Sequence, residues 1–277
     1  MLEVDRLSIH FADRGEEQEV VRGISFSVQD GEIVGIVGES GSGKTMTALT
    51  IAGLLKEHAI LDAGMIRLDG TDLLKLTPQE MRQMQGNRIG MIFQEPMTAL
   101  NPTMKIGRQV EEALRLHTEL DGRARKAAVI RALEEVELEA PEKLLSKYPH
   151  ELSGGMRQRV MIAAAMICRP SLLIADEPTT ALDAVTQESI LKLLKKLNCK
   201  YGMSILFISH NLRVVKELCT RVLVMKDGEI LEEGETDDVF RNPKTEYTKA
   251  LIEAIPAQVG DNPYYEMLRQ KAGWRHD

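Results

Sequence analysis

Three short stretches of this sequence hold residue types and spacings suited to phosphate chemistry. Gly38-Glu39-Ser40-Gly41-Ser42-Gly43-Lys44-Thr45 fits G-x-x-x-x-G-K-[ST] in full. Its glycines let the backbone curl so that N–H groups converge on phosphate oxygens, and the following helix start adds partial positive charge. Lys44 is placed to reach the terminal phosphates of a nucleotide, and the Thr45 hydroxyl suits a Mg²⁺ ligand. Leu172-Leu173-Ile174-Ala175-Asp176-Glu177-Pro178 is an apolar run ending in two acids. Beside a phosphate cradle, Asp176 suits a Mg²⁺ site and Glu177 a general base for the attacking water. The plain alternative is that one of the two acids caps the next helix. Leu152-Ser153-Gly154-Gly155 stands ahead of a helix expected to begin near Val160. It makes either a second anion nest or an ordinary helix start capped by Ser153.

Strands and helices must place these stretches. Leu7, Ile9 and Phe11 alternate, as do Ile24, Phe26 and Val28, with the period of a strand. Residues 33–37 form a continuous apolar run suited to a strand buried on both faces. The glycine loop follows, then a helix over 46–55, which together open a βα unit. Residues 65–68, closed by Asp69-Gly70, and residues 89–93 read as further strands. From about 96 to 167 helical spacing takes over, as in Ala127, Ile130, Leu133 and Val136, marking a mostly helical second subdomain. Strand signals return at 172–175 and 205–208, with a helix over 185–197 between them. A hairpin turns at Asp227-Gly228, flanked by Val222, Val224 and Ile230. Strands alternating with helices predict an α/β fold with a largely parallel sheet.

Bulk properties exclude several classes. Of 277 residues, 43% are apolar, enough for a sizeable core. A net charge of −7 argues against gripping nucleic acid through its phosphates. The longest apolar run covers residues 160–168, far short of the about 20 residues a membrane span needs. The start Met1-Leu2-Glu3-Val4-Asp5 is acidic with no apolar signal segment, so export is not expected. Cys168, Cys199 and Cys219 form no C-x-x-C pair, as expected of reduced thiols.

The Leu152-Ser153-Gly154-Gly155 stretch resembles the signature sequence of ABC ATPases, and the family's other marks follow in order. Gln94 resembles the Q-loop glutamine, Ala181-Leu182-Asp183 the D-loop and His210 the switch histidine, while Phe11 sits where the family stacks an aromatic on adenine. By itself Phe11 fits a core position equally well. The resemblance covers residues 2–256. It implies a P-loop ABC ATPase fold with a RecA-like core, an antiparallel β subdomain and an inserted helical subdomain at about 96–167. It further implies ATP and Mg²⁺ as cofactors, with Thr45, Gln94 and Asp176 around the metal. Glu177, His210 and Lys44 would carry catalysis. Ser153, Gly154, Gly155 and Asp183 would complete the nucleotide site of a second ATPase subunit. Two permease subunits and, indirectly, an extracytoplasmic binding protein are the implied partners, which places the chain peripherally on the cytoplasmic face of the inner membrane.

Narrower likenesses point to the peptide/nickel importer branch, and to the first of its two ATPases. They lie in Phe93-Gln94-Glu95-Pro96-Met97, Glu177-Pro178-Thr179-Thr180-Ala181-Leu182-Asp183, Tyr247-Thr248-Lys249-Ala250-Leu251 and Met46-Thr47-Ala48-Leu49. Many members carry a cysteine cluster beyond the core; no cysteine follows Cys219 here, so no iron–sulfur centre is expected. Residues 257–277 form a tail of no assigned role. Peptide and nickel or metallophore cargo both stay open, as do homodimer and heterodimer. The rival class is a non-transport ABC ATPase of DNA repair or translation, but neither coiled-coil or zinc insertions nor a second cassette is visible.

Overall fold

The computed structural model describes residues 1–13, 16–55, 58–180 and 182–255. Ala181 and the tail at 257–277 lie outside them. In chain order the strands are β1 (Leu2–Asp13), β2 (Glu16–Val28), β3 (Ile33–Val37), β4 (Ala59–Leu68), β5 (Thr71–Asp72), β6 (Ile89–Ile92), β7 (Leu172–Asp176), β8 (Ser204–Ile208), β9 (Arg221–Lys226) and β10 (Glu229–Glu235). The helices are α1 (Lys44–Ile51), α2 (Pro78–Met84), α3 (Pro96–Ala99), α4 (Ile106–His117), α5 (Gly122–Glu135), α6 (Pro141–Leu144), α7 (Gly154–Met166), α8 (Ala184–Tyr201), α9 (Leu212–Leu218), α10 (Thr236–Arg241) and α11 (Glu246–Glu253).

The alternating segments build an antiparallel sheet of order β2-β1-β4-β5. Alternation in β1 slips between Val4 and Leu7, where the pairing shifts register and Arg6 takes a left-handed backbone. The continuous apolar runs build the second sheet, β10-β9-β3-β8-β7-β6, parallel from β9 to β6 with β10 antiparallel at the edge. Every residue of β3, β7 and β8 is buried because both faces of this sheet are covered. One face, with Val34, Ile36, Ile174 and Leu206, packs against α1 and the antiparallel sheet. The other, with Ile33, Leu173, Ile205 and Phe207, packs against α7, α8 and α9.

Helices α3 to α7 lie between β6 and β7 and pack into that second cluster through Ile106, Val110, Leu133, Val160 and Ile162. The buried stripe of α5 is Val129 and Leu133, continued by Val136, rather than one through Ala127 and Ile130. Steps of three residues drift around a helix of 3.6 per turn, whereas the 4-then-3 spacing stays on one face. Helix α7 starts at Gly154, ahead of the expected Val160, because the Ser153 side chain caps it by accepting the Met156 N–H. Helix α1 ends at Ile51, earlier than the expected 55, and β4 is longer than the expected 65–68. Helices α2, α9, α10 and α11 were not anticipated, although Thr77-Pro78-Gln79-Glu80 forms a full capping box at α2.

The buried Asn198 of α8 ties the central strands together at their entry. Its Nδ2 donates to the Gly31 carbonyl before β3 at 2.9 Å and to the Met203 carbonyl before β8 at 2.7 Å. Asn198→Ala orphans both carbonyls, so the unfolding free energy should fall by about 2 kcal/mol in urea titration.

Candidate active site

The carboxyl ends of adjacent parallel strands deliver the predicted residues to one edge of the sheet. Strand β3 runs into Gly38, β7 ends at Asp176, β6 is followed by Gln94, and β8 by Ser209 and His210. Two loop positions admit only glycine. Gly38 has φ 153, and a Cβ there would lie 2.0 Å from the Met225 carbonyl oxygen. Gly43 has φ 98, and a Cβ there would lie 2.7 Å from the Val20 carbonyl oxygen. The loop therefore lies directly against β9 and β2.

Lys44, only 5% exposed, folds back across the loop. Its Nζ donates to the Gly38 carbonyl at 2.9 Å, the Glu39 carbonyl at 2.6 Å and Ser42 Oγ at 3.2 Å. Burial draws its pKa down, opposed by the charges of Glu177, Asp176 and Glu39. The Thr45 hydroxyl donates to Asp176 Oδ1 at 3.3 Å. Asp176 is pushed up to about 6, foremost by burial and further by Glu177, against the Thr45 hydrogen bond and the Lys44 charge.

Glu177 is the hub of the site. Its own N–H donates to the Ile208 carbonyl at 2.9 Å, extending the β7–β8 ladder, and its backbone is left-handed with φ 46. The Gln94 amide donates to Glu177 Oε2 at 3.2 Å, the Thr180 hydroxyl donates to the same oxygen at 2.9 Å, and His210 Nδ1 lies 3.0 Å from Oε1. Gly41, Gly43, Lys44, Thr45, Gln94, Glu177 and His210 line a cleft of about 560 Å³ together with Ser40 and Thr180. Val20 and Met46 also line it; Val20 comes from β2, and no local pattern marks it in advance.

Other predicted residues lie elsewhere. Ser153 and Gly154 are exposed at the start of α7, and a Cβ on Gly155 would meet Thr186 Cγ2 of α8 at 3.0 Å. Asp183 caps α8, with Oδ1 accepting the Thr186 N–H at 2.9 Å and Oδ2 accepting the Thr186 hydroxyl at 2.7 Å. These residues form a second cluster that does not line the Lys44 cleft. Phe11 is half-buried against the core of the antiparallel sheet, also outside the cleft lining.

The ABC transporter family model matches residues 21–180, more than half of the chain. The chain belongs to the ABC transporter family. It is 47% identical, over all of its length and 84% of the relative's, to the dipeptide transport ATP-binding protein DppD of Haemophilus influenzae. It is 46% identical over 92% of its length, and 72% of the relative's, to the oligopeptide transport ATP-binding protein OppD of Bacillus subtilis. A dimeric ATP-binding cassette in a post-hydrolysis state, bound to ADP and Pi, superposes with a TM-score of 0.77 at 30% identity, covering 85% of this chain and 99% of that one. This ABC cassette is thus an ATP-binding, ATP-hydrolysing transporter component with the P-loop fold expected from its sequence.

Within the cassette, an ionised Asp176 costs stability. Because its pKa is raised from 3.8 to about 6, that cost grows as pH climbs through this range and is complete above it. Asp176→Asn should raise the unfolding free energy by about 2–3 kcal/mol at roughly pH 8, at about 1.4 kcal/mol per pKa unit, and by almost nothing near pH 4. Urea melts at both pH values check the sign and the window.

Proposed function

We propose that this cassette powers peptide import, closing with a second ATPase subunit on ATP and reopening after hydrolysis to drive two permease subunits. The observation that carries the proposal is that the two clusters are distinct: the signature turn is exposed, lies against Thr186 of α8, which Asp183 caps, and takes no part in the cleft lining on its own chain. A turn with free N–H groups at a helix start is suited to an anion, and another molecule's nucleotide satisfies that geometry. Ser153, Gly154, Gly155 and Asp183 then face the partner's ATP, while Gly38 to Thr45 cradle the chain's own. Phe11 is proposed as the adenine shelf.

Mg²⁺ fits the residues present. Among the described residues, no group of His, Cys, Asp and Glu is arranged to hold a metal by itself. Thr45 Oγ1 and Asp176 Oδ1 supply adjacent hard oxygen donors, the set that binds Mg²⁺ together with substrate phosphates, and Gln94 lines the same cleft as Thr45. When bound, Mg²⁺ neutralises charge on the terminal phosphates. Glu177, held by Gln94 and Thr180, takes the proton of the attacking water, and His210 beside it contacts the terminal phosphate.

Exposed Leu54 and Phe93 line a groove of about 340 Å³, and Met97 is exposed four residues after Phe93. This is the proposed seat of the permease, next to the Gln94 segment that senses the nucleotide. Among the described residues no helix is long and apolar enough to cross a membrane, and the proposal attaches the chain through the permease at the cytoplasmic face. An extracytoplasmic binding protein would deliver cargo. The names of the relatives favour peptides over nickel or metal chelates and lend no support to DNA repair or translation.

Replacing Glu177 by Gln should cut steady-state turnover roughly 100- to 10,000-fold while ATP binding persists. Ser153→Arg should abolish ATP-dependent pairing of subunits and turnover yet leave nucleotide binding by the single chain intact. Pairing and hydrolysis at normal rates in Ser153→Arg would overturn the two-subunit site.

A further inference from the structure

Helix α11 has no part in the reading above, yet it touches the phosphate loop. The Tyr247 hydroxyl accepts the N–H of Glu39 at 3.1 Å. That N–H belongs to the same peptide unit as the Gly38 carbonyl, which accepts from Lys44 Nζ at 2.9 Å. The Gly38–Glu39 peptide is therefore held at both ends, by Lys44 on one side and Tyr247 on the other.

Tyr247 is itself firmly placed. Its ring packs on the main core with Leu251, Ile252 and Ile255, and Lys226 Nζ sits 4.8 Å from the ring centroid. The start of α11 is clamped by the buried Glu232 of β10, whose carboxylate accepts the N–H groups of Lys244 at 2.9 Å and Thr245 at 3.2 Å. Thr245 then caps the helix by accepting the Thr248 N–H at 3.1 Å. The β9–β10 hairpin touches the loop a second time, where the Gly228 N–H donates to the Ser42 carbonyl at 3.2 Å. A rigid path thus runs from the hairpin through Glu232 and α11 to the second residue of the phosphate loop.

We propose that Tyr247 is a positioning residue that keeps the Gly38–Glu39 peptide from rotating when Lys44 leaves its carbonyl partners for phosphate oxygens. The proposal rests on the reading of this loop as the nucleotide cradle. Glycine at position 38 leaves that peptide with little steric resistance to rotation. Once Lys44 has turned away, Tyr247 still holds the N–H end. Rotation without it would swing a carbonyl oxygen toward an anion that N–H groups are meant to meet.

Tyr247→Phe removes the hydroxyl alone and keeps the ring, its packing and the Lys226 contact. In the full chain, the Kd for a fluorescent ATP analogue and the KM for ATP should both rise about three- to tenfold, the worth of one hydrogen bond, with kcat within about twofold of the parent. Glu232→Ala, which frees the start of α11, should shift Kd and KM the same way, and the double variant should add little, since both changes act through one contact. Lys44→Ala separates the two readings. If Lys44→Ala loses nucleotide while Tyr247→Phe keeps a Kd and KM within about twofold of the parent, the positioning role is overturned and the cradle stands, whatever the melting temperature does. If Lys44→Ala binds nucleotide normally, the cradle itself is refuted.

Discussion

Charge buried at the end of an apolar sheet is the constraint on which the rest of this molecule depends. Lys44 and Asp176 are both almost wholly withdrawn from water, and burial pushes each toward its neutral form. The fold tolerates this because each group has partners at hand. Lys44 spends its protons on loop carbonyls and Ser42, and Asp176 accepts from Thr45. The proposed phosphate and hard-cation role uses the same arrangement, since Lys44 can exchange loop carbonyls for phosphate oxygens, Asp176 keeps acceptor capacity beyond its one bond from Thr45, and the low local dielectric magnifies any charge that enters.

The double-sided burial of the parallel sheet makes that constraint possible. With the antiparallel sheet and α1 on one face and α7, α8 and α9 on the other, Gly38, Gln94, Glu177 and His210 emerge together at the carboxyl ends of the strands. Glu177 then collects contacts from segments after β6 and β8, so a change at its carboxylate is felt on both sides of β7. Gln94 leads directly into α3, whose Met97 touches Arg157 of α7 at 2.7 Å. The Glu177 carboxylate and helix α7 are thereby joined through a short series of side-chain contacts, the kind of contact by which a local event becomes a shift of a whole element.

Much of this was legible in the sequence. The phosphate loop, the acid pair at the end of β7 and the central strands follow from residue type and period, because a glycine that must take positive φ and a strand buried on both faces leave local signatures. Errors came where the pattern depended on what lies opposite. The three-residue steps of α5 drift off its buried stripe, and α7 starts at Gly154, ahead of its apolar run, on a cap that is a single serine. The helices after β8 leave little periodic signal because they are short, and their burial is decided by neighbours far away in the chain.

The sequence by itself determined which residues are candidates to meet phosphate, since a glycine loop, a lysine and a strand-end carboxylate are defined by local spacing. Only the tertiary structure decided that Ser153-Gly154-Gly155 sits beside Thr186 and away from the Lys44 cleft, that Val20 lines that cleft while Phe11 packs on the neighbouring core, and that Tyr247 reaches the Glu39 amide. These are contacts across tens to hundreds of residues. They arise from the order in which strands pair and helices cover them, and no local pattern of residue types encodes that order.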